Sequence, residues 1–435
     1  MKGNASQPRP APAVLFWIGL TLLAFAVRFP YLNQVPCWSA GNENNLALAI
    51  LNGARPLTNQ NPHLGALSPY LVALALRIFG FHSVVPRLVP FLAGIATVLL
   101  TWRLGRRTGS ERAGIIAAGW MAAAWYHAIF SSHYPWSNSL TPFFATAFLL
   151  VLTHFQRDTG IRRGVLQAGL AGLLFGLGMQ THPEMVTLLP VAVVVLIRMT
   201  GRPLAWLRRP APYVMAAAGA LGYGNMLYYN LVNRFKSVSF GLTYPEYALT
   251  KEYTATSVGG NYLHEFLYLP RIIFGFFSDE LPWRQYALHP MIWLFWILVI
   301  AGIVMTIRDR RPVIPVAFMS SFLIIPALNS NYSLYLGRYL VFMFPPALIL
   351  AAESLDRLLR LRIRRPGPVV IRAGALAVFA LMFVVPLVQI RAFYAACESS
   401  GLTRERFHRL DHMIRDTGLN SPLIILDQET GAGDD

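Results

Sequence analysis

Apolar runs of roughly 17–25 residues recur along this chain, separated by short loops dense in arginine. Water is absent from the hydrocarbon core of a bilayer, so a spanning segment must satisfy its own backbone hydrogen bonds. Runs of this length fit helices, whereas barrel strands are about half as long and alternate in polarity. The pattern predicts an all-α polytopic membrane protein. Composition agrees. Hydrophobic residues make up 55% of the chain and charged residues only 13%, about half the share in a soluble domain.

Spans are expected at about 13–31, 85–104, 113–130, 139–155, 164–181, 184–200, 213–232, 289–307, 313–329, 337–355 and 371–390, which makes about eleven. The loops "RLGRRTGSER", "QRDTGIRR", "RMTGRPLAWLRR", "RDRR" and "DRLLRLRIRR" alternate with the Arg-poor "SSHYPWSNS", "QTHPE" and "NSNYSLYLG". Arginine-rich loops stay in the cytoplasm, so the N-terminus is expected inside and the C-terminus outside a bacterial inner membrane. The first apolar run ends "AVRFPYL" without a small-residue cleavage site and reads as a retained helix.

The net charge of +17 invites a nucleic-acid partner. Such a partner needs the basic residues gathered on one soluble face, and here they lie in loops beside membrane lipid, so no nucleic acid is expected. Two cysteines, Cys37 and Cys397, exclude a disulfide framework and a Cys-based metal cluster. Both are expected outside, where a disulfide is allowed, but nothing in the sequence fixes their separation.

A transmembrane domain over 1–390 is expected to carry two long outer loops, 30–84 and 233–288. The first contains two short amphipathic helices, "ENNLALAILNG" and "LSPYLVALALRIFG", each closed by glycine, which suit the membrane interface. The second is rich in tyrosine and phenylalanine, as interfacial loops are. Residues 391–435 read as a short outer tail: a helix, then a strand "SPLIILDQ" that would begin an α/β domain.

The order of these features, with their motifs, resembles the GT-C superfamily of polyprenyl-phosphate-sugar-dependent glycosyltransferases, close to the protein O-mannosyltransferase-like and aminoarabinose-transferase-like membrane enzymes. "AGNENNLALAILNG" resembles the family's Gly-Asp-Glu and amphipathic helix. "HLGALSPYL" resembles its His-x-Gly-Pro-Leu segment. "SSHYPWSNSLTP", "MQTHPE" and "YLGRYLVFMFPP" resemble its later motifs. The resemblance covers roughly residues 13–390. It implies a polyprenyl-phosphate sugar donor, a lipid, glycan or protein acceptor, transfer at the outer face and inversion at the anomeric carbon. Two positions depart from the pattern. Asn42 stands where the family has Asp, and Ser132 where it has Arg.

Such a reaction needs a cation where charge develops on the leaving phosphate, and a base near an acceptor hydroxyl. Glu43 is the candidate base, with Asn42 as its positioner. The plainer alternative is that both favour a helix N-terminus through capping and the macrodipole. Arg338, beside Tyr339, is the candidate donor-phosphate ligand, because arginine in or beside a membrane is costly unless it has a task. Its alternative is an interfacial anchor. Arg271 is a second such candidate. Arg87 reads as the anchor of a span end. His63, His182 and Asn138 are candidate substrate contacts, and each is equally at home as a polar loop or packing residue. Asp279 and Glu280 read as a turn or cap. His127, His133 and His182 are not at i, i+3 or i, i+4 spacing, so helix-face zinc binding by them is unsupported and no metal ligands are assigned; a divalent cation remains possible through carboxylates and the substrate phosphate. The rival from another class is a catalytically inactive binder or transport component for lipid-linked substrates, which Asn42 and Ser132 favour.

Overall fold

The structure, a computed structural model, describes residues 11–32, 41–82, 84–155, 160–200, 204–243, 258–276, 289–328, 337–360 and 367–399. Seventeen α-helices account for most of these residues: α1 (Ala11–Arg28), α2 (Gly41–Leu51), α3 (Leu67–Phe79), α4 (Val85–Thr108), α5 (Glu111–Ala123), α6 (Trp125–His133), α7 (Thr141–Leu152), α8 (Ile161–Thr181), α9 (Leu189–Thr200), α10 (Pro210–Gly222), α11 (Gly224–Val232), α12 (Lys236–Thr243), α13 (Val258–Phe274), α14 (Pro290–Arg308), α15 (Val313–Leu328), α16 (Phe344–Arg360) and α17 (Gly367–Ser399). Among the described residues the β pairing is one antiparallel bridge, Thr58 to Gly65.

Each expected span falls on helix, but fewer are unbroken than the hydropathy suggests. Among the described residues, five helical segments are long and apolar enough to cross a membrane: α4, α8, Pro183–Thr200, α14 and Val369–Ala395 within α17. A sixth is α5 with α6, bent by 58°. The bend comes at Ala124, whose ψ of 114° leaves the helical region. Alanine is the best helix former, so local sequence gives no warning of this break. The expected span 139–155 is likewise a 3-10 turn, Ser137–Leu140, followed by α7, with Pro142 in its first turn.

The second outer loop is corrected by the structure. Within 233–288 lie α12 and α13, and α13 is a core helix packed on α6, α14, α15 and α17. Its Glu265, Leu269, Ile272 and Phe274 are fully buried. Spaced four and three apart, the first three lie on one helix face. Within α13 the aromatic side chains of Phe266, Tyr268 and Phe274 serve packing. Asp279, Glu280, Cys37 and the tail strand lie outside the described residues, as does the Cys397 side chain.

The most extensive helix contact is α8 on α10. Glycines meet there: a Cβ on Gly172 would lie 2.0 Å from the Met215 carbonyl oxygen, and one on Gly176 would lie 2.2 Å from that of Gly219. Small residues let backbones approach where lipid supplies no hydrophobic drive between helices. The end of α1 is fixed by Arg28, fully buried without a carboxylate partner among the described residues. Its guanidinium donates from Nε to Ser131 Oγ at 2.9 Å, and from Nη1 to the Ala24 and Ala122 carbonyls at 3.0 and 3.2 Å. Its Nη2 lies 2.9 Å from His127 Nδ1. At the opposite end of the bundle, Arg311 bridges Glu353 of α16 and Asp309 at 3.0 and 2.7 Å. Arg360 pairs with Asp356 at 2.7 Å.

Candidate functional site

The site is built where α8 stops. His182 has φ −163° and ψ 140°, and Pro183 then starts a 3-10 turn, Pro183–Leu188. The Thr-His-Pro-Glu order is thus a deliberate break: proline starts a turn well and continues a helix poorly. One residue earlier, Gln180 clamps the first long loop. Its carbonyl accepts from the Gly65 N–H at 2.8 Å, and its side-chain amide donates to the Gly222 carbonyl at 2.6 Å. A Cβ on Gly65 would sit 2.6 Å from the Gln180 side chain, so the approach requires glycine. Asn225 holds the same loop through the Leu57 carbonyl at 2.6 Å.

This clamp brings His63 to His182, with ring centroids 6.2 Å apart and nearly perpendicular. The His182 ring also lies 4.5 Å from that of Tyr339. Arg338 completes the row. Its guanidinium lies 4.7 Å from the Trp136 ring centre and 4.9 Å from that of Tyr339, and its Nη2 donates to the Tyr339 hydroxyl at 2.9 Å. The backbone beneath is held by α13, where the Tyr268 hydroxyl accepts from the Gly337 N–H at 3.2 Å. Trp136 is fixed by the turn that follows it, since Asn59 donates to Ser137 Oγ at 2.9 Å.

Charge in this row is concentrated on one group. Burial, reinforced by His182 and Arg338, holds His63 down to about 3. Burial, reinforced by Arg338, does the same to His182, also to about 3. Both imidazoles are neutral at pH 7, leaving Arg338 as the fixed cation among them. A planar guanidinium held against two aromatic faces suits a phosphate, because its N–H edge can engage two oxygens while its face stays covered.

Four of the residues expected from sequence therefore come together: His63, His182, Arg338 and Tyr339. Asn138 is buried in the turn after Trp136. Arg271 donates from Nε to the Phe276 carbonyl at 2.7 Å and closes the end of α13. Arg87 donates to the Leu32 carbonyl at 2.8 Å, as an anchor at a span end would. Asn42 and Glu43 stand in the first turn of α2, and their side chains lie outside the described residues. Ser132 is buried, its hydroxyl donating to the Ala128 carbonyl at 2.6 Å.

Sequence reasoning missed the carboxylates behind the row. Glu184 Oε2 lies 3.1 Å from His182 Nδ1. Glu265 of α13 is fully buried, and neither carboxylate oxygen meets a hydrogen-bond donor among the described residues. Burial, with the nearby charge of Glu184, holds its carboxyl well above the usual carboxylate range. The signal was the helical spacing of Glu265 with Leu269 and Ile272, hidden by reading this stretch as loop. Among the described residues no three His, Cys, Asp or Glu side chains converge as a metal site.

A family model described as dolichyl-phosphate-mannose-protein mannosyltransferase matches residues 63–228, which include His63, Trp136 and His182. ArnT from Cupriavidus metallidurans, in the crystal structure bound to undecaprenyl phosphate, superposes with a TM-score of 0.56 at 15% identity, over 92% of this chain and 77% of that one. The chain shares the fold of ArnT. The apo form of ArnT gives a TM-score of 0.58 at 15% identity, over 91% of this chain and 76% of that one. The Archaeoglobus fulgidus oligosaccharyltransferase AglB, in complex with an inhibitory peptide and a dolichol-phosphate, gives 0.53 at 14% identity, over 87% of this chain but only 55% of AglB. No curated protein matches the chain in sequence.

Proposed function

We propose that this protein transfers a sugar from a polyprenyl-phosphate donor to a lipid, glycan or protein acceptor at the outer face of a bacterial inner membrane. The observation that carries the reading is the Arg338 guanidinium held between Trp136 and Tyr339 beside two neutral histidines. In this reading Arg338 binds the donor phosphate and stabilises the charge left on it as the bond from the anomeric carbon to the phosphate oxygen breaks. The solved relatives named with undecaprenyl phosphate and dolichol-phosphate support that donor class. The arginine-rich helix ends lie opposite the site, which supports an N-terminus inside and a site outside. Either Glu43 takes the proton of a hydroxyl acceptor, or the acceptor is already an anion and needs no base.

The Asn42 position bears on the acceptor. An acceptor that is already an anion, such as a lipid phosphate, needs no deprotonation and tolerates Asn where a hydroxyl-using enzyme keeps Asp. Asn42→Asp should then leave turnover unchanged, and a several-fold gain with a hydroxyl acceptor would count against an anionic acceptor. A second reading, an inactive binder of lipid-linked sugars, is favoured by the same residue and by the packed Ser132. Purified protein with radiolabelled polyprenyl-phosphate sugars and membrane extract separates the two: transfer that fails in Glu43→Gln supports the enzyme, and binding without transfer supports the binder.

A further inference from the structure

Opposite the proposed site, a cavity of about 580 Å³ opens between the ends of α4, α9, α14 and α15. Four arginines reach it from different elements: Arg107 in the last turn of α4, Arg198 in the last turn of α9, and Arg310 and Arg311 in the turn between α14 and α15. Arg311 is answered by Glu353 and Asp309. Among the described residues, the ion pairs at this end engage Arg106, Arg112, Arg311, Arg357 and Arg360, and none engages Arg107 or Arg310. Arg107 donates from Nε to the Thr153 carbonyl at 3.2 Å, while Arg103 and Arg163 add like charge to it. Positive loop residues would satisfy the positive-inside rule anywhere around the rim. Here they line one concavity.

Two further observations point to an occupant. Arg310 has φ +58°, a left-handed conformation in which glycine is at ease and arginine is strained. A glycine there would close the turn at lower cost, so the charged side chain sits against the backbone preference. The floor of the cavity is apolar, formed by Leu152, Phe155, Val195 and Met199. Its volume lies in the range of pockets that enclose whole small molecules, roughly 300–1,000 Å³, and exceeds what a bare phosphate fills.

We propose that this cavity binds an anionic phospholipid of the arginine-side leaflet by its headgroup, its phosphate on Arg107, Arg198 and Arg310 and the start of its acyl chains against the apolar floor. A free polyphosphate shares the anionic chemistry but makes no use of that floor. Basic pockets between the cytoplasmic ends of membrane helices select such headgroups. Occupancy would tie α4, α9 and α14 together at the end away from the sugar site, and it does not depend on the transfer reading.

The test is the thermal unfolding of the full chain in a neutral detergent. Phosphatidylglycerol should raise Tm by several degrees and phosphatidylcholine should not. The triple variant Arg107→Gln/Arg198→Gln/Arg310→Gln should lose at least two thirds of that shift, and Arg162→Gln, outside the cavity, should keep it. Arg310→Gly guards against a failure to fold: it should raise the lipid-free Tm by relieving the backbone while reducing the lipid shift. A shift unchanged in both cavity variants overturns the proposal. So does an equal shift with phosphatidylcholine, or the whole shift with inorganic pyrophosphate alone, which would assign the cavity to a soluble anion.

Discussion

Arg338 is held by two ring faces as much as by hydrogen bonds, so charge alone should not replace it. Arg338→Lys keeps the cation but loses the planar fork and most of the stacking, and donor KM should rise roughly tenfold. Trp136→Leu leaves the guanidinium one face short, and radiolabelled-donor binding should weaken roughly 3- to 30-fold. The neutral histidines make a pH prediction. Both are held to about 3 in the folded chain and return to an ordinary value near 6.5 when it unfolds. Between those values the unfolded state binds more protons. Stability is therefore intact above about pH 6.5 and falls as pH falls. Each histidine should cost on the order of 2 kcal/mol at pH 5 relative to pH 7, and thermal melts of wild type against His63→Gln should show a shallower loss in the variant. Among the described residues Glu265 is buried without donors, so a neutral isostere should be accepted: Glu265→Gln should melt no earlier than wild type, and a large fall in Tm would show that an ionised carboxylate is required. Arg338, Tyr339 and the two histidines were legible because motif order marks them. Glu265 was not, because a buried polar residue is visible only once its helix is known.

At the level of elements, the break between α8 and the turn after His182 organises the site. Gln180 reaches it only because α8 lies against α10 along glycines. Gly176→Leu should push the two helices apart and draw Gln180 from both Gly222 and Gly65. The expected outcome is a fall in Tm of several degrees with a higher donor KM; an unchanged KM would mean the clamp does not position His63. All eleven expected spans fall on helix because lipid selects for apolar length, but among the described residues five segments, or six with the bent pair, are long and apolar enough to cross a membrane. Hydropathy could not see the bend at Ala124 or the 3-10 start before α7, which are set by packing on neighbours. It also placed α13 in a loop, since aromatic residues serve equally at an interface and in a core. The amphipathic helices of the first loop, closed by Gly53 and Gly80 with φ of +96° and +82°, were legible because that backbone conformation selects glycine.

Across the whole molecule, the two ends of the bundle carry different chemistry. One end gathers aromatic rings, neutral histidines and the stacked Arg338. The other gathers arginines, several of them neutralised by Asp309, Glu353 and Asp356. The asymmetry was legible in the alternation of loops, although the pairing of particular arginines with particular acids was not, since Arg311 and Glu353 are far apart in sequence. It fits an enzyme whose lipid-linked donor presents its phosphate at one face only. The most direct measurement is sugar transfer by the purified chain from radiolabelled polyprenyl-phosphate donors into membrane extract, compared with Arg338→Ala under conditions where both are folded. Transfer by wild type and a loss of roughly a hundredfold or more in Arg338→Ala are expected. Equal transfer by the two proteins, or none by wild type with any donor, would contradict the transfer reading.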